Sequence, residues 1–321
     1  MIRRRISGPT DLSPRAWLGA GRRVLSAIWE NRVTDWAAAL TYYSVQSLLP
    51  GLLLLAAVLG LLGPGATESL IATIREVGPS EGTGALIDTI DQLRSARTYS
   101  GPLAILGLVT AVWTSSNYIG AFIRAANTLY EVEEGRAAWK TVPLRLGLTL
   151  ALVTAVAVCA LGILITGNLA HEVGRWLGAG DGAVRVWGIA KWPVLMALVS
   201  LACALLYWAA PNVRHPGFRW LTPGSGMAVA IWAAASGGFT VYLRYFGSYN
   251  KVYGSLGAAA VFLLWIWLSN LAVLFGAAFD AELARARSVA QGRAADDRPI
   301  LPPRDEPDDD PRPRDRSPKS L

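Results

Sequence analysis

Asn31, Asp35, Tyr42 and Gln46 are spaced so that, at about 100° per residue, they share an arc of about 60° on one helix. Amide, carboxylate and phenol groups in one row can meet a polar headgroup or line water inside a membrane. They can also pair across a buried seam between helices, and the residues leave both options open. Gln46 would lie about 16 Å deeper along the helix than Asp35. A second polar stretch follows at Ser115, Ser116 and Asn117, with Asn127 further on. A third gathers around Arg244, next to Tyr245, Tyr249, Asn250, Lys251 and Tyr253. The planar guanidinium fork of Arg244 suits a phosphate or a carboxylate, although a long cationic side chain can also simply reach the membrane surface. Asp280 and Glu282 close the last apolar stretch, within reach of Arg285 or Arg287.

These groups lie in or beside apolar runs, where a charge near the bilayer centre costs about 2.5–3.5 kcal/mol on insertion scales. Residues 146–165, 192–210, 221–243 and 252–279 each run 19 or more positions without a charged side chain. At about 1.5 Å per residue, roughly 20 such residues cross a hydrocarbon core of about 30 Å. Six spans are expected: 37–62, 101–130, 143–168, 187–210, 221–245 and 255–283. The connection 64–100 carries Ile71, Ile74 and Val77, then Leu86, Ile90 and Leu93, at helical spacing among charges. It reads as two amphipathic helices at the membrane interface. The fold class is therefore all-α: a polytopic membrane protein with six transmembrane helices and two interfacial helices after the first. The domains read as a basic N-terminal segment at 1–34, the membrane unit at 35–287 and a charged, proline-rich disordered tail at 288–321.

The chain is 53% hydrophobic and 17% charged, against roughly 25% charged in soluble domains. Its formal charge of +7 does not point to nucleic acid, because the basic residues sit at the edges of apolar runs, as the positive-inside rule describes. Seven Arg precede Trp36, and Arg124, Arg136, Lys140 and Arg145 surround the second connection. This bias puts both termini in the cytoplasm. Small residues predict helix contacts along Gly226, Ala230, Ala234 and Gly238, and along Ala272, Gly276 and Ala284. Cys159 and Cys203 fall inside apolar runs and read as packing residues. His171 and His215 fall in loops expected on opposite faces, so no metal, cofactor or histidine-pair chemistry is expected. The phosphate-loop, HExxH, Gly-x-Ser-x-Gly and CxxC patterns do not occur.

Asp35-Trp36-Ala37-Ala38-Ala39-Leu40-Thr41-Tyr42-Tyr43-Ser44, ending at Pro50, resembles the opening signature of the YihY/BrkB family of bacterial membrane proteins. Trp113-Thr114-Ser115-Ser116, Asn127-Thr128-Leu129-Tyr130 and Arg136 fit the same pattern. So do Tyr242 to Tyr245, Tyr253 to Gly257, and Gly276-Ala277 with Asp280-Ala281-Glu282. The resemblance spans about residues 20–287. It implies a six-span protein of the cytoplasmic membrane whose family has carried a ribonuclease label, regarded as a misassignment, and a virulence label. Some relatives are linked to envelope lipid export. The expectation is a non-enzymatic protein that moves a lipid-like or amphiphilic substrate, with membrane lipids and an envelope protein as partners. A tRNA-processing ribonuclease and a non-transporting scaffold are the alternatives.

Overall fold

The computed structural model describes residues 13–62, 100–164, 170, 171, 178, 180–215, 220–246, 250–294 and 297–306. Side chains at 48–62, 100–104, 243–246, 250–256 and a few single helical positions lie outside that description. Seven helices carry the described chain: α1 (Pro14–Glu30), α2 (Val33–Leu62), α3 (Ser100–Leu129), α4 (Ala138–Leu164), α5 (Asp181–Ala209), α6 (Pro223–Phe246) and α7 (Asn250–Ala290). Among the described residues there is no strand, only an isolated bridge between Val213 and Pro303. The all-α class holds. Four helices are long and apolar enough to cross a membrane, over Ala138–Ile163, Gly182–Ala209, Pro223–Tyr242 and Ala259–Ala290. The interfacial helices expected within 64–100 fall almost wholly outside the described residues, since only Ser100, the first residue of α3, is described there.

α1 lies within the segment expected to be no more than a basic N-terminus, and its signals are local. The Ser13 hydroxyl accepts from the Ala16 amide (3.3 Å), and Pro14 takes the first helical turn, where its missing N–H costs nothing. Ala20, Val24 and Ala27 are buried on one side, Trp17 packs on Phe279, and the Arg23 Nε meets Glu282 at 2.8 Å. Leu18, Leu25 and Trp29 recur on the opposite side and stay exposed. Arg32 follows in the left-handed region (φ 50°) and turns the chain into α2, with Asp35 in the favourable first turn.

Helices α3 to α7 pack in chain order, and α7 also lies against α1, α2 and α3. The C-terminal ends of α3, α5 and α7 meet the starts of α4 and α6 at one end of the bundle. Most of the buried core lies toward this end, with Ile119, Phe122, Tyr130, Leu206, Tyr207, Val213, Leu274, Leu283 and Ile300 all at 5% exposure or less. Further along, Val109 and Trp113 on α3, Val153 and Val156 on α4, and Ile189, Trp192 and Val194 on α5 are exposed. One end is tightly closed, and the helices expose apolar sides beyond it.

The closure of that end departs from the expected domain limits. α7 continues to Ala290, and residues 297–306 fold back as a strap in place of the disordered tail expected from 288. The Ile300 amide donates to the Tyr130 carbonyl (3.2 Å), Arg214 to Pro302 (2.9 Å) and Arg304 to Asn212 (3.1 Å). Ile300, 2% exposed, plugs the core, which is the physical reason a stretch so rich in charge and proline is held here. Residues 307–321 lie outside the described residues.

α6 and α7 cross on two glycines. A Cβ on Gly276 would stand 2.5 Å from the Gly224 carbonyl oxygen and 2.6 Å from the Tyr207 hydroxyl, and one on Gly224 would meet the Gly276 carbonyl. The small-residue row expected on α7 is the contacting one, with Ala272 and Ala284 buried. The row expected on α6 is not. Nothing lies within 4 Å of a Cβ built at Gly226 or Gly238, and Ala230 and Ala234 are exposed. The true contact is two residues out of register, at Gly224 and Ala228, because the capped start of α6 sets its rotation. There Thr222 and Ser225 exchange hydrogen bonds (3.1 and 3.0 Å) and the Gly224 amide donates to Asp280 (2.8 Å).

Candidate functional site

The first-span row separates into an inner and an outer face. Ala37 and Leu40 are fully buried, and Thr41 is turned inward. Asp35, Tyr42 and Gln46 lie on the exposed face, Tyr42 at 63% with its ring edge-on to Tyr43 at 5.4 Å. Asn31 caps α1, its amide donating to Ala27 (2.9 Å). Within the described chain none of Asp35, Tyr42 and Gln46 is buried against another helix. The seam residue is Thr41, which accepts from Asn270 Nδ2 (3.2 Å), while the Tyr118 hydroxyl donates to Asn270 Oδ1 (3.0 Å). Asn270 is 5% exposed in the middle of α7 and is the polar residue the sequence reading passed over. A lone amide within a 28-residue uncharged run was the available signal.

The second-span cluster is drawn together by a residue outside the expected site. Arg145 reaches from α4 to α3, where its Nε and Nη2 donate to the Ser116 carbonyl (3.2 and 3.0 Å). Nη2 also donates to the Ser116 hydroxyl (3.2 Å) and the Asn117 side-chain oxygen (3.1 Å). Gly120 permits this approach, since a Cβ there would stand 3.0 Å from the Arg145 Cζ. Ser115 is half-buried alongside. Thr41, Ser116, Asn117, Tyr118, Arg145 and Asn270 thus form a polar layer between α2, α3, α4 and α7. It lies roughly 17 Å along α3 from that helix's C-terminal end at the helical rise.

Asn127 and Asp280 are engaged elsewhere, at the closed end. Asn127 accepts from the Asn212 amide (2.8 Å) and donates to Glu134 (2.9 Å). Arg136, 8% exposed, forks onto Glu134 (2.7 Å to each oxygen) and donates to the Ala210 carbonyl (2.7 Å), capping α5. Burial pushes the Glu134 carboxyl up, but the Arg136 hydrogen bonds and charge, with Asn127, outweigh it and hold the group below its usual range. Glu131, left-handed at φ 53°, ends α3 and is clamped by Arg285 (2.6 Å) and Arg298 (3.1 Å). Asp280 caps α6. His215 stacks edge-on against Tyr130 at 5.4 Å. Burial, then Arg304 and Arg287, lower its pKa to about 4. Arg244 lies on α6, and Asn250 and Tyr253 on α7; their side chains are outside the described set, so the third cluster is not assembled here. Among the described residues no three His, Cys, Asp or Glu side chains gather as metal ligands would.

Long apolar helices around a polar layer, sealed at one end by ion pairs and a strap, define an α-helical membrane protein. The chain belongs to the family described as Virulence factor BrkB, which matches residues 24–300. It is similar to the ribonuclease-like protein YfkH of Bacillus subtilis strain 168, at 28% identity over 79% of this chain and 90% of that protein. It is also similar to UPF0761 membrane proteins of Alcanivorax borkumensis and Chromohalobacter salexigens, at 33% and 30% identity over 79% and 78% of this chain. It spans 57% and 60% of the length of those two relatives. No solved structure matches it.

Proposed function

We propose that the chain crosses the bacterial cytoplasmic membrane six times, with both termini in the cytoplasm, and moves a lipid-like or amphiphilic envelope substrate. The observation that carries this reading is the outward polar face of α2. Asp35, Tyr42 and Gln46 point away from every neighbour that packs on Ala37 and Leu40. A polar row turned out of an apolar bundle is costly against hydrocarbon and favourable against water or headgroups. The alternation of α3 to α7 and the Lys/Arg bias support the crossing number and orientation. The partners on this reading are membrane lipids and the substrate, with no nucleic acid and no cofactor.

Cysteines placed at 42 and 46, after replacement of Cys159 and Cys203, test the wet face. Both should react with a water-soluble maleimide in intact membranes, while cysteines at 37 and 40, both fully buried, stay protected. Protection at all four positions would mean that the face of α2 meets lipid tails or protein, and the reading would lose its support. A ribonuclease, as the name of the B. subtilis relative suggests, draws no support from the closed end. There His215 is half-buried edge-on against Tyr130, and Asp280 caps a helix.

A further inference from the structure

Arg145 carries a full positive charge into the polar layer, yet every partner it has there is neutral: a carbonyl, a hydroxyl and an amide oxygen. Among the described residues no carboxylate lies within ion-pair distance of it. Among the described residues only Nε and Nη2 make hydrogen bonds, and the side chain is half-buried. Four cations of the closed end are treated differently, although Arg304 there is also held by carbonyls, those of Val213 and Trp208. Arg23, Arg136, Lys140 and Arg285 each meet a carboxylate at 2.8 Å or less. Arg145 is also held in place, because Nε and Nη2 are fixed on α3 and Gly120 leaves the room they need. The result is a pre-oriented guanidinium with one edge open and its charge unbalanced, on the side of the layer where the helices stop burying one another.

A guanidinium in this state is matched by an oxyanion, which can accept from the open edge while supplying the missing charge. We infer that Arg145, positioned by Ser116, Asn117 and Gly120, binds the anionic headgroup of an amphiphile, a phosphate ester or carboxylate. The inference rests on the proposed transport reading for its ligand class. The same chemistry would hold a free phosphate ion.

The test uses the full chain in detergent, with native mass spectrometry reading the lipid it retains. Phosphatidylglycerol should be kept in preference to phosphatidylcholine, and Arg145→Gln should lower its retention about tenfold while leaving the unfolding temperature near that of the wild type. Inorganic phosphate at millimolar concentration should not displace the lipid; displacement would keep the site and assign it to the free anion. Wild-type protein that does not prefer the anionic lipid overturns the inference, as does Arg145→Gln retaining it unchanged. If Arg145→Gln does not fold, Gly120→Ala replaces it, since the new Cβ would press on Cζ and shift the fork. Undiminished retention in that folded variant also overturns the site. Vesicles in which the wild type moves no lipid, alongside intact Arg145-dependent retention, would sink the transport reading and leave the site standing.

Discussion

Gly276→Ala tests the crossing that joins α6 to the rest of the bundle. The added methyl would stand 2.5 Å from the Gly224 carbonyl oxygen, 2.6 Å from the Tyr207 hydroxyl and 2.8 Å from the Ala228 Cβ. Two of these contacts are backbone or fully packed atoms, so the helices must separate by about 1 Å to reach ordinary van der Waals spacing. Overpacking of this kind costs about 1–3 kcal/mol. Separation also stretches the Gly224 amide bond to Asp280 (2.8 Å) and the Tyr207 bond to the Val273 carbonyl (2.6 Å). Each buried group left unpaired costs about 1–3 kcal/mol. Against this, alanine gains about 0.5–1 kcal/mol over glycine inside a helix. The net loss is about 2–5 kcal/mol, or roughly 5–15 °C in unfolding temperature for a domain of this size. Tryptophan fluorescence during heating in detergent, at one fixed scan rate, reads it out. Gly226→Ala, with open space around its Cβ, is the matched control and should be neutral or slightly stabilising. A Gly276→Ala protein as stable as the wild type, with Gly226→Ala weakened, would refute the crossing and restore the other register.

Arg136→Gln should destabilise by about 2–4 kcal/mol, below the full cost of breaking a buried pair because Glu134 is 30% exposed; denaturant unfolding in micelles measures it. His215 is held neutral, its folded pKa of about 4 lying below the unfolded 6.5, so its contribution is complete above pH 6.5 and lost as the pH falls toward 4. Wild-type stability should therefore drop by up to about 3 kcal/mol over that window, and His215→Phe, which keeps the stack on Tyr130, should flatten the profile. A chain stopped after 306 should unfold at the wild-type temperature. One stopped after 296 should unfold several degrees lower, because it uncovers the seat of Ile300; equal temperatures for the two would remove any role for the strap.

The sequence revealed most where one residue's chemistry decides the outcome. Runs of 19 or more uncharged positions marked α4 to α7, since hydrocarbon length is a one-dimensional constraint. Gly276 and Ala272 were legible as a contact row for the same reason. The matching row on α6 was not, because its rotation is set by Thr222, Ser225 and Asp280, a cap built partly from another helix. The outward set of Asp35, Tyr42 and Gln46 was found by periodicity, but periodicity does not say which way a face turns. Asn127 and Asp280 stand out in the sequence as polar groups in apolar surroundings, and in the structure they hold the Asn212 and Gly224 amides. Arg145 escaped notice because it borders an apolar run, where positive charges are ordinary; only its anchoring on Ser116 and Asn117 of α3 sets it apart. The strap was hidden by composition, since a proline-rich charged stretch reads as solvated until one isoleucine in it finds a seat.

That strap follows the last of the described helices, α7. While the polypeptide is being made, α3 and α5 leave the ribosome long before the segment that closes their ends, and α7 only just before it. Until residues 297–306 arrive, the carbonyls of Tyr130, Asn212 and Val213 lack the donors that satisfy them in the finished protein. Assembly of the closed end thus waits on the last stretch of described sequence, and a prematurely stopped chain keeps a raw apolar seat exposed to proteases. The contact that completes the closed end is the last of its contacts to form as the described chain emerges.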